Sequence, residues 1–158
     1  MINVEPIQQK KLYGLNKYLN ELTGLISNNK MPSKILISGQ KGLGKATLAY
    51  HLINYALTVN EKNSYNLENC EIDPQSHSFK TISNGSNPNL ILIDISSEKK
   101  NIDINQIREL ISKLNKSSLN NKPRFVLIDN IEFLNINSIN ALLKVLEEPN
   151  KNTFFILI

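Results

Sequence analysis

A single cysteine, Cys70, stands in a chain of 158 residues. One thiol closes no internal disulfide and builds no multi-cysteine metal site. Long apolar runs are missing too: nothing approaches the roughly 20 residues that cross a bilayer, so no membrane partner is expected. The first eleven residues lack a basic end followed by an apolar core, which argues against a secretory signal. A cytoplasmic location is the expectation that remains. Arginine is scarce, with only Arg108 and Arg124 in a composition weighted towards Asn, Ile and Lys. Aromatic residues make up 6% of the chain and do not alternate with basic ones in the manner that stacks bases. The two histidines, His51 and His77, are not spaced to meet a nucleophile, so they are read as surface or filler positions. No catalytic residue is assigned.

What is present fits a globular α/β domain. Hydrophobic residues are 41% and charged residues 20%, and the formal net charge of +4 is too small to point to a nucleic-acid or acidic partner. The length suits one domain, residues 1–158, with a core of its own. Leu15, Leu19, Leu22 and Ile26 recur at helical spacing until Asn28-Asn29. Residues 34–38 form a short apolar strand between Pro32 and Gly39. Leu48, Leu52, Tyr55 and Val59 share one face of a second helix. From about residue 60 to 89 the pattern dissolves into Asn, Ser, Glu, Pro and Gly, which reads as a long surface insertion. Residues 90–95 return to strand. Asp103 opens a helix with Gln106 placed as in a capping box, and Ile104, Ile107, Ile111 and Leu114 form its stripe. Residues 125–128 are the next strand, and Asn137 is the expected cap of a helix that Pro149 stops. Residues 154–158 form a last strand with nothing after it, so the chain reads as incomplete. Apolar strands alternating with amphipathic helices imply parallel crossovers and a mostly parallel sheet flanked by helices.

The run Gly39-Gln40-Lys41-Gly42-Leu43-Gly44-Lys45 sits between the first strand and the second helix. This is G-x-x-x-x-G-K in the setting that a phosphate loop requires. The glycines open backbone conformations closed to other residues, successive N–H groups form an anion nest, and the helix start adds partial positive charge. Lys45 is placed for the β- and γ-phosphates of ATP. The competing account is a glycine-rich turn that happens to carry a lysine. The position after the lysine should hold a magnesium-ligating hydroxyl and holds Ala46 instead. Thr47 follows one helical step on, which turns its side chain by about 100°. The expected contact set is therefore residues 39–47, with a weakened magnesium site.

Arg124-Phe-Val-Leu-Ile-Asp129 is an apolar strand ending in a carboxylate, like a Walker B element. Asp129 is the candidate magnesium ligand, acting through water; the competing account is a strand-end cap. In ATP-hydrolysing AAA+ proteins, which this element resembles, a glutamate follows directly and orients the attacking water. Here Asn130 follows, and an amide is no base. Glu132 would have to turn back past Ile131 to replace it.

These residues resemble the clamp-loader branch of the AAA+ ATPases, P-loop NTPases of three-layer fold, and most closely its delta-prime subunits. Leu12-Tyr-Gly14 with its following helix and Lys30-Met-Pro32 looks like the entry into the first strand. Gly39 to Ala49 is similar to the family's phosphate loop, with Lys-Ala-Thr a familiar ending. Asn87-Pro-Asn-Leu-Ile and Asn135 to Pro149 carry the rest. The resemblance implies a largely non-hydrolysing subunit of the DNA polymerase III clamp loader. Its partners would be delta and tau/gamma subunits in a hetero-pentamer and, through the complex, the sliding clamp and primed DNA. It also implies that the Ser-Arg-Cys and sensor motifs, the lid and the collar domain lie beyond residue 158. Tau/gamma subunits carry a four-cysteine zinc module where this chain has only Cys70 and His77, so no zinc is expected. Lys99, Lys100, Lys113 and Lys116 read as a solvated face, with contact to DNA phosphates the alternative. Two other functions stay open: a hydrolysing AAA+ ATPase such as a tau/gamma subunit or helicase loader, and a P-loop kinase for a small molecule.

Overall fold

The computed structural model describes residues 5–95, 101–116 and 120–158, which form two compact units. The first comprises Ser38–Asn87 with the described part of Met1–Met31. It holds helices α1 (Asn16–Ser27), α2 (Lys45–Thr58) and α3 (His77–Ser83). Asn28 and Asn29 end α1 as expected: the Asn28 N–H donates to the Gly24 carbonyl and the Asn29 N–H to the Ile26 carbonyl, and Asn29 takes the left-handed conformation.

Helix α2 is buried on more than the predicted stripe. Leu48 to Ile53 are all buried, as are Asn54, Ala56, Leu57 and Thr58, while Val59 is exposed just past the end. Its buried polar side chains are bonded, apart from the Asn54 Oδ1 atom. Asn54 Nδ2 donates to the Tyr50 carbonyl at 2.8 Å, Thr58 Oγ1 to the Asn54 carbonyl at 2.7 Å, and Tyr65 N to Thr58 Oγ1 at 3.0 Å.

Residues 60–89, which the sequence presents as a surface insertion, have a packed interior. Tyr65, Cys70, Ile72, Phe79 and Ile82 are buried. Helix α3 stands here, its start capped by Ser76 Oγ accepting from Phe79 N at 3.1 Å. Asn66 and Glu71 exchange antiparallel backbone bonds, and Glu71 also bridges to Lys11.

The second unit comprises Pro32–Ile37 and Pro88–Ile158. Its sheet holds β1 (Lys34–Leu36), β2 (Leu90–Ile93), β3 (Arg124–Ile128) and β4 (Thr153–Leu157) in the order β1-β4-β3-β2, all parallel. The inner strands β3 and β4 are the most deeply buried, which is why they read as continuous apolar runs. Helices α4 (Ile104–Leu114) and α5 (Ile136–Glu147) supply Ile107, Leu110, Leu114 and Leu142 to a core with Ile91, Ile93, Val126, Ile128 and Phe155. Each such side chain stabilises the unit by about 1.5–3 kcal/mol. The expected capping box is present: Asp103 Oδ1 accepts from Asn105 N and Gln106 N, and Gln106 Oε1 accepts from Asp103 N.

The cap of α5 is Asn135, accepting from Ser138 N at 2.9 Å, rather than Asn137. Ser138 Oγ donates to the buried Ile102 carbonyl, which fixes the helix start two residues early. At the amino-terminal ends of the strands, cations close helix ends. Arg124 donates to the Leu114 and Lys116 carbonyls after α4, and Lys34 to the Leu146 carbonyl of α5. This is the α/β architecture that the alternation of elements predicts, a parallel sheet with flanking helices.

Candidate functional site

The loop after β1 has the conformation its glycines permit. Gly42 lies at φ +87° and Gly44 at φ +82°, where a side chain costs about 1–2 kcal/mol. A Cβ at Gly42 would meet nothing within 4 Å, so the requirement there is conformation and not space. Gly44 is the N-cap of α2, and Lys45 is its first residue. Residues Gly39, Gln40, Lys41, Gly42 and Leu43 are exposed, while Lys45, Ala46 and Thr47 are half-buried. Lys45 Nζ donates to the carbonyls of Gly39 at 2.8 Å and Gln40 at 3.1 Å, folding the ammonium over its own loop. The first turn of α2 has no acidic residue and no side-chain cap, so its partial positive charge is not neutralised locally. These features fit an anion of phosphate size. Ala46 offers a methyl group where a metal-ligating hydroxyl would stand.

The loop after β3 belongs to the second unit. Asp129 N donates to the Ile93 carbonyl, and Ile131 N to the Ile158 carbonyl. Between these anchors Asn130 takes φ +59°, ψ +50°, a left-handed conformation that asparagine tolerates better than most residues. Its N–H donates to Asp129 Oδ1 at 2.9 Å, and its Nδ2 donates to Asp94 Oδ1, also at 2.9 Å. Glu132 is exposed in a short 3-10 helix, Ile131–Phe133.

Asp94 escaped the sequence reading. The signal was there: Leu92-Ile93-Asp94 repeats the Leu127-Ile128-Asp129 ending, and β2 and β3 pair in register at Ile93 and Ile128.

The remaining candidates resolve individually. His51 is a filler residue, buried on α2, its Nδ1 2.7 Å from the Tyr65 hydroxyl and its Nε2 3.1 Å from the Gln9 carbonyl. The carbonyl only accepts, so Nε2 carries the proton and Nδ1 accepts from Tyr65. Burial pushes the imidazole down to about 4, against a weaker upward pull from the Gln9 carbonyl. His77 is exposed at the start of α3. Cys70 is buried in a left-handed conformation, its thiol donating to the Leu67 carbonyl and its pKa raised by burial. Among the described residues, no group of three or more His, Cys, Asp or Glu is placed to hold a metal ion. Lys113 and Lys116 are exposed, and Lys99 and Lys100 lie outside the described residues. No described helix is long and apolar enough to cross a membrane.

A parallel α/β sheet whose first strand runs into a Gly-x-x-x-x-Gly-Lys loop and a helix defines the P-loop NTPase class of fold. Comparison with known proteins narrows the class. A family model described as DNA polymerase III, delta subunit, matches residues 14–158, and the chain belongs to that family. It is 28% identical over 144 residues to DNA polymerase III subunit delta' of Buchnera aphidicola subsp. Schizaphis graminum, covering 91% of this chain and 42% of that protein. It is 31% identical over 158 residues to DNA polymerase III subunit gamma of the same organism, covering 96% of this chain and 39% of that one. A crystal structure of a DNA polymerase III, gamma subunit-related protein from Thermotoga maritima matches with a TM-score of 0.50 at 22% identity, over 90% of this chain and 37% of its own. The chain therefore spans well under half the length of these relatives.

Proposed function

We propose that this chain is the nucleotide-binding core of a delta-prime-type subunit of the DNA polymerase III clamp loader, one that binds ATP without hydrolysing it. The observation that carries the reading is Asn130: an amide stands directly after Asp129 and is hydrogen-bonded to Asp94. That group neither takes a proton from water nor is free to swing to one. Ala46 points the same way, because it supplies no ligand to magnesium. Residues 39–47 would hold the phosphates through backbone N–H groups and Lys45, and Asp129 is the residue assigned to magnesium. The protein's role is then to fill a position in a cytoplasmic hetero-pentamer with delta and tau/gamma subunits, which opens the sliding clamp and places it on primed DNA.

A hydrolysing tau/gamma-type role is the second reading, favoured by relatives of that name at equal or higher identity. Steady-state ATP hydrolysis and capture of the other loader subunits by the full-length protein decide between the two. The first reading expects capture without turnover. Turnover that vanishes in Lys45→Ala would overturn it in favour of the second.

A further inference from the structure

A cleft of about 100 Å³ opens at the amino-terminal ends of β3 and β4, lined by three cations and no carboxylate. The cations are Lys122, Arg124 and Lys151, and none of the lining residues belongs to the loop 39–47. Arg124 is held in place at both ends. Its N–H donates to the Asn152 carbonyl at 2.9 Å, and it lies in register with the buried Thr153 on β4. Its Nη1 donates to the Leu114 carbonyl and its Nη2 to the Lys116 carbonyl, both at 3.2 Å. Asn150 Nδ2 donates to that same Leu114 carbonyl at 2.8 Å. The negative end of α4 is thereby covered, so the carbonyls that would repel an anion are already engaged. A guanidinium has five N–H groups, and two are committed in this way. Glu147 and Glu148, a few residues before Lys151 in the chain, are exposed and lie outside the lining. Lys113 and Lys116 stand at the adjoining end of α4, so the surroundings carry the same sign. We propose that this cleft is a phosphate-binding site, taking a tetrahedral oxyanion either free or as a phosphodiester of nucleic acid. The Arg124 guanidinium and the Lys122 and Lys151 ammonium groups are its ligands. Phosphate fits better than a carboxylate, because donors from three side chains need more than two acceptor oxygens. The site stands whether or not the loop 39–47 binds ATP.

The test is two-dimensional amide NMR of the whole chain, titrated with inorganic phosphate at constant ionic strength. Saturable shifts are expected at the amides of Lys122, Arg124 and residues 151–153. Shifts confined to residues 39–47 would put the anion on the glycine-rich loop alone and overturn the proposal. Lys122→Gln combined with Lys151→Gln removes two charges and keeps the Arg124 bonds to α4. The phosphate Kd read at Thr153 is expected to rise about tenfold in that variant. An unchanged Kd overturns the proposal. If the double variant does not fold, Lys151→Gln alone is read in the same way, with a rise of about threefold expected. A short DNA duplex without terminal phosphates then separates the two sources. Competition by the duplex, seen as a higher phosphate Kd at Thr153, assigns the site to a phosphodiester. A Kd that the duplex leaves unmoved assigns it to free phosphate.

Discussion

Two of the loops that follow parallel strands in this chain differ in what holds them. The loop after β1 is a backbone device: left-handed glycines, the open start of α2 and a lysine curled over its own carbonyls. The loop after β3 is a side-chain device, in which Asn130 is pinned between Asp129 and Asp94. Gripping a phosphate requires oriented N–H groups, which almost any sequence supplies if its glycines are right. Activating a water requires one basic side chain in one place. On the function proposed above, the first loop keeps its requirement and the second has lost its own, which would make binding and turnover separable.

Acid gives the largest contrast between the regions. His51 is in the unit that holds the phosphate loop, and its folded pKa lies near 4, below the 6.5 of a free imidazole. Between those values the unfolded chain binds more protons. Stability contributed by the neutral, buried ring is therefore full above about pH 6.5 and is lost as pH falls towards 4, by about 3 kcal/mol in all. All five tyrosines, at 13, 18, 50, 55 and 65, are in that unit, so tyrosine fluorescence during urea titration reports it. His51→Gln should flatten the slope; an unchanged slope would show that another group drives it.

Lys45→Ala tests the first loop directly. Losing a charge-assisted contact of about 1.5–3 kcal/mol should weaken ATP binding by roughly 10–100-fold in calorimetry, while the melting temperature stays put. Equal affinity in the variant would mean that the loop is only a turn. Gly42→Ala asks whether the glycine is there for its backbone. With open space around the added methyl, the expected cost is about 1 kcal/mol of folding stability, read by urea unfolding. A neutral result would show that the loop relaxes. The smallest effect is reserved for Ala46→Ser, which should strengthen magnesium-dependent ATP binding about threefold and still give no turnover while Asn130 remains. Hydrolysis by that variant would remove the contrast between the loops.

The parts of the fold that repeat at a fixed period were legible in the sequence. Strands β1 to β4 and helices α1, α2, α4 and α5 announce themselves through apolar runs or stripes, and the Asp103–Gln106 box is local enough to read directly. Helix α3 did not announce itself. Seven residues with two buried apolar side chains, Phe79 and Ile82, make no stripe, and their burial depends on distant partners. Asn135 and Asn137 are equally good caps on paper, and only the bond from Ser138 to the Ile102 carbonyl separates them. At the candidate site the loop motif was fully visible, because it is contiguous. The Asp94–Asn130 pair was not, because it needs the register of β2 against β3 across thirty-six residues of chain.

The strand order also sets a schedule. Among the described residues strand β1 pairs with β4 alone, and Lys34 meets Phe155 about 120 residues later in the chain. Closing a loop of that size costs entropy before any contact rewards it, and sheets dominated by such pairings form slowly. A ribosome that has reached Pro149 has already made β1 and the whole phosphate loop, yet the strand leading into that loop still has no neighbour. The oldest segment of the sheet is the last to be secured, so a nascent chain carries its glycine-rich loop on an unanchored strand until Thr153–Leu157 emerges.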